Sequence, residues 1–368
     1  MAESDPPPDT AGGGAPGRPH RRGVEVAGSR DPNRGSPDPG QQAGGGTVAG
    51  PDPHAAASGL GLAQARPRRG DARFRLLVRA AAVFLLALLA AIAVFLVLQA
   101  IPALRDDKTN FFTTLRWDPD GSGSFGIAAL AFGSVLSSVL ALLIGVPVAV
   151  GVALLTSHYA PRAVARPLGY LVDLLAAVPS VVFGLWGLVY LVPHLIPLSQ
   201  FLSRYLGFIP LFASNGTFGK SVLAASVVLA VMILPIVAAI SREVFSAAPT
   251  DHLEAAYALG ATKWEVMTTA VLPYGRSGVI SGVVLGFGRA IGETIAVALV
   301  LSANFGISWR ILQPSGNTIA ANVANQYGQA GPLGRDALIA SGLVLFAITL
   351  VVNFGARAIA RGPRQVAP

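Results

Sequence analysis

The 368-residue chain is 52% apolar and only 12% charged, with a mean hydropathy of +0.58, whereas a soluble domain carries about 25% charged residues. That composition excludes an ordinary soluble globule and puts most of the chain in a bilayer. The formal charge of +8 is no nucleic-acid footprint, because the basic residues gather beside apolar segments with no aromatic-basic module between them.

Residues 1–70 come first and carry no apolar period, only runs such as Pro6-Pro7-Pro8, Gly12-Gly13-Gly14 and Gly44-Gly45-Gly46. Such a segment buries too little apolar surface to offset its ordering entropy, so a disordered cytoplasmic tail is expected. No apolar core follows its first charges, which excludes a secretory signal. The chain has no cysteine, and so neither disulfides nor thiolate metal ligands. Its histidines, at 20, 54, 158, 194 and 252, never fall at metal-ligand spacing.

Residues 75–364 are expected to form an all-α transmembrane domain. Six apolar segments, at about 80–100, 125–155, 168–192, 221–240, 278–301 and 337–356, are each long enough to span as a helix. Arg66, Arg68, Arg69, Arg73, Arg75 and Arg79 precede the first. By the positive-inside rule they place the N-terminus in the cytoplasm. Alternation then puts Arg162 and Arg166, the loop 241–277 with Arg242, Lys263 and Arg276, and the tail with Arg357, Arg361 and Arg364 on the same side. Both termini are therefore expected inside a bacterial cell membrane. Pro179 and Pro235 are expected to kink the third and fourth spans. Asp173 is expected to pair with Arg166 or with another chain.

Loop 241–277 is too structured for a plain linker. Asp251 with Glu254 fits an N-cap and its reciprocal acid. Helix formers run from Leu253 to Leu259, and Gly260 can take the left-handed conformation that ends a helix. A second short helix, about Lys263–Leu272, is expected to stop at Pro273. The order Glu254-Ala255-Ala256, Gly260, Leu272-Pro273 resembles the EAA signature of ABC importer permeases, with Ala270 where that family has Ile. The resemblance implies a type I ABC importer permease fold and a helix that docks in a groove on a partner ATPase. Gly219-Lys220-Ser221 lacks the first Gly of a phosphate-binding loop and a preceding strand. No cofactor is therefore expected on this chain, ATP and Mg belonging to the partner.

Arg289 and Glu293 lie near the middle of the fifth span, where an Arg costs at least about 2.5–3.5 kcal/mol. Spaced i, i+4, they share one helix face, which leaves two readings open: a structural ion pair, or a charged face on a polar pathway. Gly278, Gly282 and Gly286 recur every fourth residue along the same span, permitting close helix packing. The run Phe287-Gly288-Arg289-Ala290-Ile291-Gly292-Glu293-Thr294, with Ala176-Ala177-Val178-Pro179-Ser180, Leu185-Trp186-Gly187-Leu188 and Trp117-Asp118-Pro119, is similar to PstC-type permease subunits of phosphate importers. That resemblance implies a substrate pathway along Arg289, Glu293 and Thr294. It also implies a PstA-like permease companion, a PstB-like ATPase dimer and a PstS-like phosphate-binding protein. A permease for another oxyanion shares the loop signature. An ion channel or membrane-embedded enzyme is the alternative from another class, and it leaves the Glu254-to-Pro273 loop unexplained.

Overall fold

The structure, a computed structural model, describes residues 69–360. Residues 1–68 of the expected tail, and 361–364 at the end of the expected transmembrane domain, lie outside the described residues. Six helical segments are long and apolar enough to cross a membrane: Arg73–Asp106, Ala128–Tyr159, Ser180–Leu206, Val222–Ser246, Lys263–Ile291 and Pro332–Ala358.

Helix α1 (Arg69–Asp106) has 38 residues. That makes it about 57 Å long at 1.5 Å per residue, more than the roughly 30 Å hydrocarbon layer. Phe74, Leu86 and Phe95 are each more than half exposed along it, as befits a helix apolar on every face in lipid. Only its last turns reach the core, where Ala100 and Ala103 pack with Phe111, Trp117 and Phe125. Strands β1 (Trp117–Asp118) and β2 (Ser124–Phe125) then pair antiparallel, Trp117 opposite Phe125. Because Phe125 is committed to this hairpin, the second span starts as α2 (Ala128–Leu154), which a π turn extends over Leu155–Tyr159.

The expected third span at 168–192 is not one helix. Helix α3 (Arg162–Ala176) stops short, and the span itself begins beyond the break as α4 (Ser180–Trp186), a π turn at Gly187–Leu191, and α5 (Val192–Leu206). Pro179 causes the interruption: it lacks an N–H, sits extended at φ −60° and ψ 141°, and pushes its predecessor out of the helical region. Asp173 of α3 does not pair with Arg166 among the described residues. Its carboxylate meets Arg242 at 3.4 Å, tying α3 to the C-terminal end of α6 (Val222–Ser246). Ser221 caps α6, its hydroxyl accepting the Ala224 N–H at 3.3 Å. Helix α6 continues unbroken through Pro235, and 61% of its apolar window is buried, against none of α1's. It is the axis of the bundle.

After α6 come α7 (Thr250–Ala258), α8 (Lys263–Val266), a π turn at Met267–Val271, α9 (Leu272–Ile291), α10 (Ile295–Val300), α11 (Ile319–Gln326) and α12 (Pro332–Ala360). The expected stop at Pro273 does not occur. Proline is tolerated in the first turn of a helix, and the wide π turn just before it clears the carbonyls its ring would strike. One helical rod therefore runs from Lys263 to Ile291. The expected fifth span at 278–301 is instead broken at Gly292–Thr294, with α10 completing it.

Helix α9 packs along α6, and α2 packs against both. Small residues set the spacing: a β-carbon at Gly286 would meet Val237 at 3.1 Å, one at Gly282 would meet Ile240 at 3.4 Å, and one at Gly145 of α2 would meet the Ala230 carbonyl at 3.1 Å. The stripe Gly278, Gly282, Gly286 is thus the α6-facing side of α9. At the N-terminal end of α12, the Asp120 carboxylate accepts the N–H groups of Gly331 and Gly334, each at 2.8 Å. There it meets the positive end of the helix dipole and ties the loop between the first two spans to the last span. The neighbouring Asp118 carboxyl is held below the usual carboxylate range, chiefly by hydrogen bonds from Ser122 and secondarily by Arg116.

Candidate functional site

The fourth-to-fifth loop folds as a helical hairpin seated on the C-terminal ends of α2 and α6. Leu253, Ala256 and Ala261 pack against Leu154, Phe245, Val266 and Met267. Asp251 is not the N-cap: α7 starts at Thr250 after Pro249, with no side-chain cap bond, because Pro249 already sets the entry and leaves Asp251 inside the first turn. The capping box falls on α8 instead. There Glu265 N–H donates to Thr262 Oγ1 at 3.4 Å and Thr262 N–H donates to Glu265 Oε2 at 2.7 Å.

Gly260 takes φ +82°, a conformation L-residues disfavour. It closes α7 with a pair of reversed bonds, Gly260 N–H to Tyr257 O at 2.9 Å and Ala261 N–H to Ala256 O at 3.1 Å. This sharp turn leaves Glu254 and Ala255 exposed and Leu259 90% and Trp264 62% exposed. Leu272 packs partly into the same core, while Pro273 is exposed. The hairpin is a knob whose exposed surface carries Ala255, Leu259 and Trp264 beside the acids Asp251, Glu254 and Glu265. Such a surface fits a groove on another protein.

Arg289 and Glu293 are not paired: among the described residues, the ion pairs within 4.0 Å are Arg116–Asp118 and Arg242–Asp173. The helix break explains this. An i, i+4 pair needs a continuous helix, and α9 ends at Ile291. Beyond the break, Glu293 Oε1 accepts the Ala296 N–H at 3.3 Å and so caps α10, while Thr294 Oγ1 donates to Gly292 O at 3.1 Å. Helix α10 is pinned from the other side by α4, since a β-carbon on Gly184 would lie 2.7 Å from the Ala296 Cα.

Arg289 is exposed at the end of α9. It lines an open cleft of about 850 Å³ between α6, α9 and α12, together with Ile236, Ser281, Gly288, Asn353 and Arg357. The structure therefore separates the three expected pathway residues, Glu293 and Thr294 at the break and Arg289 in the cleft. Ser281 and Asn353 escaped sequence reasoning, which used Arg357 only for topology. An amide at position 353, inside an otherwise apolar segment, was the signal available.

Six helices long and apolar enough to cross a membrane, packed on small residues and joined between the fourth and fifth by a capped hairpin, define a polytopic membrane protein. The chain belongs to the family described as binding-protein-dependent transport system inner membrane component, which matches residues 145–365. Relatives place it in the PstC group of that family. It is 47% identical over 302 residues to the phosphate transport system permease protein PstC 2 of Mycobacterium tuberculosis (strain ATCC 25618 / H37Rv), covering 80% of this chain and 93% of that protein. It is 41% identical to the PstC of Xylella fastidiosa (strain 9a5c), covering 79% and 91%. The crystal structure of a bacterial ABC transporter involved in import of the acidic polysaccharide alginate shares the fold, with a TM-score of 0.51 and 16% identity over 79% of this chain and 97% of that one.

Proposed function

We propose that this chain is the membrane-spanning subunit of an ATP-driven phosphate importer in a bacterial cell membrane, with both termini in the cytoplasm. It forms the path with a PstA-like permease subunit, receives phosphate from a PstS-like binding protein, and is driven by two PstB-like ATPases docked on the α7–α8 hairpin. The observation that carries this reading is Arg289, a cation beside a break in the fifth span with no carboxylate within 4.0 Å among the described residues. A guanidinium is a planar fork of donors matched to phosphate oxygens. Glu293, engaged by the α10 backbone, leaves that fork open in this conformation.

The names of the relatives favour phosphate over molybdate or sulfate. A channel or membrane enzyme would have no use for the exposed hairpin. The test is complementation of a strain lacking its own phosphate importer, using this chain with its companion subunits. Restored phosphate uptake with a co-purifying ATPase is expected. Uptake of sulfate or molybdate alone, or a purified complex without an ATPase, would refute the reading.

A further inference from the structure

Arg357 enters the sequence reading only as one of the inside-flanking charges that set topology. In the structure it lines the same cleft as Arg289, with Ser281 and Asn353 between apolar walls that include Ile236, Val284 and Leu285. Two guanidiniums in one apolar-walled cleft repel each other. Neither has a carboxylate within 4.0 Å among the described residues. A cleft of this kind is built for a visiting anion.

The helix directions support this. The fifth and sixth spans cross the membrane in opposite senses, and a long helical side chain leans toward the N-terminal end of its own helix. Arg289 on α9 and Arg357 on α12 therefore lean toward each other along the cleft. Ser281 Oγ donates to Ser277 O at 2.8 Å, which leaves its lone pairs to accept from a ligand, and the Asn353 amide offers both a donor and an acceptor. A phosphate group near neutral pH presents oxygens for the arginines and an O–H for such acceptors. Sulfate has no O–H to give.

We propose that Arg289, Arg357, Ser281 and Asn353 together form a phosphate-group site, with Arg357 the inner station that receives the anion from Arg289. This rests on the phosphate-importer reading. Conduction favours several weak sites over one tight one, and a second guanidinium further in lets the anion leave Arg289 without entering bare hydrocarbon. A lipid headgroup carries the same phosphate group, so the test separates the two sources.

The test uses the complete importer in vesicles, with Ala356→Cys as the only cysteine in this chain. Inorganic phosphate is expected to slow thiol labelling with Arg357 present, and R357Q should need about tenfold more phosphate for the same protection, the loss expected when one charge-assisted donor goes. Without the cysteine, R357Q should take up phosphate about tenfold more slowly while keeping its ATPase bound. Should R357Q insert poorly, R357K, which keeps the charge and loses the fork, should give intermediate protection.

Protection by added phosphate in phosphatidylcholine vesicles assigns the site to the transported anion. Protection that needs phosphatidylglycerol and no added phosphate assigns it to a lipid headgroup. Labelling indifferent to both overturns the proposal. If the parent importer still takes up phosphate in that last case, the importer reading stands and the cleft inference alone falls. If the parent carries a different oxyanion, the importer reading falls instead.

Discussion

At position 293, a carboxylate that an i, i+4 spacing assigns to Arg289 is spent on a backbone N–H. Gln keeps an oxygen where Glu293 Oε1 accepts from Ala296, whereas Ala removes the acceptor altogether. Glu293→Gln should therefore leave uptake within about threefold of the parent, and Glu293→Ala should destabilise the break by about 1 kcal/mol, as the loss of a cap does. Uptake per unit of inserted protein, with thermal unfolding in detergent, checks both; equal behaviour of the two variants would contradict the capping role. The two ionisable residues at mid-membrane were legible in the sequence because charge there is costly. Their separation was not, since it depends on α9 ending at Ile291, and Gly292 does not announce an end within a span already rich in glycine. Arg357 was read for topology alone, because a basic residue at a span end satisfies the positive-inside rule whether it faces water, lipid or a cleft.

At the scale of elements, hydropathy finds the apolar segments but not where a helix breaks. Pro179 and Pro235 both sit in apolar runs, yet one separates α3 from α4 and the other lies inside α6. The difference lies in packing, since α6 is enclosed by α2 and α9 while α3 is held through Asp173 and Arg242. Pro273 likewise passes unnoticed because a π turn precedes it. The hairpin was more legible, because the left-handed turn at Gly260 is a local demand of the backbone. Gly260→Val should cost roughly 1–2 kcal/mol at φ +82° and tilt α7 away from its partner. Trp264→Ala, which removes an exposed aromatic anchor, should weaken ATPase association by about 2 kcal/mol and leave insertion unchanged. Pull-down of the ATPase with each variant decides; full retention by both would exclude the hairpin as the docking element.

At the scale of the whole molecule, the orientation expected from the arginines before α1 and near α3 is directly measurable, because the chain has no native cysteine. A cysteine at Ser214 should react with an impermeant thiol reagent from outside and one at Thr250 only after lysis, whereas the reverse pattern would invert the topology. The central claim is that Arg289 serves the passing anion and is not half of a structural pair. Phosphate uptake by Arg289→Gln and by the Arg289→Gln/Glu293→Gln double variant, in the complete importer and normalised to membrane abundance, tests it most directly. Both are predicted to insert yet to lose about tenfold or more of uptake, as removal of a charge-assisted contact would produce; near-normal uptake by either, above all recovery in the double variant, would contradict the account.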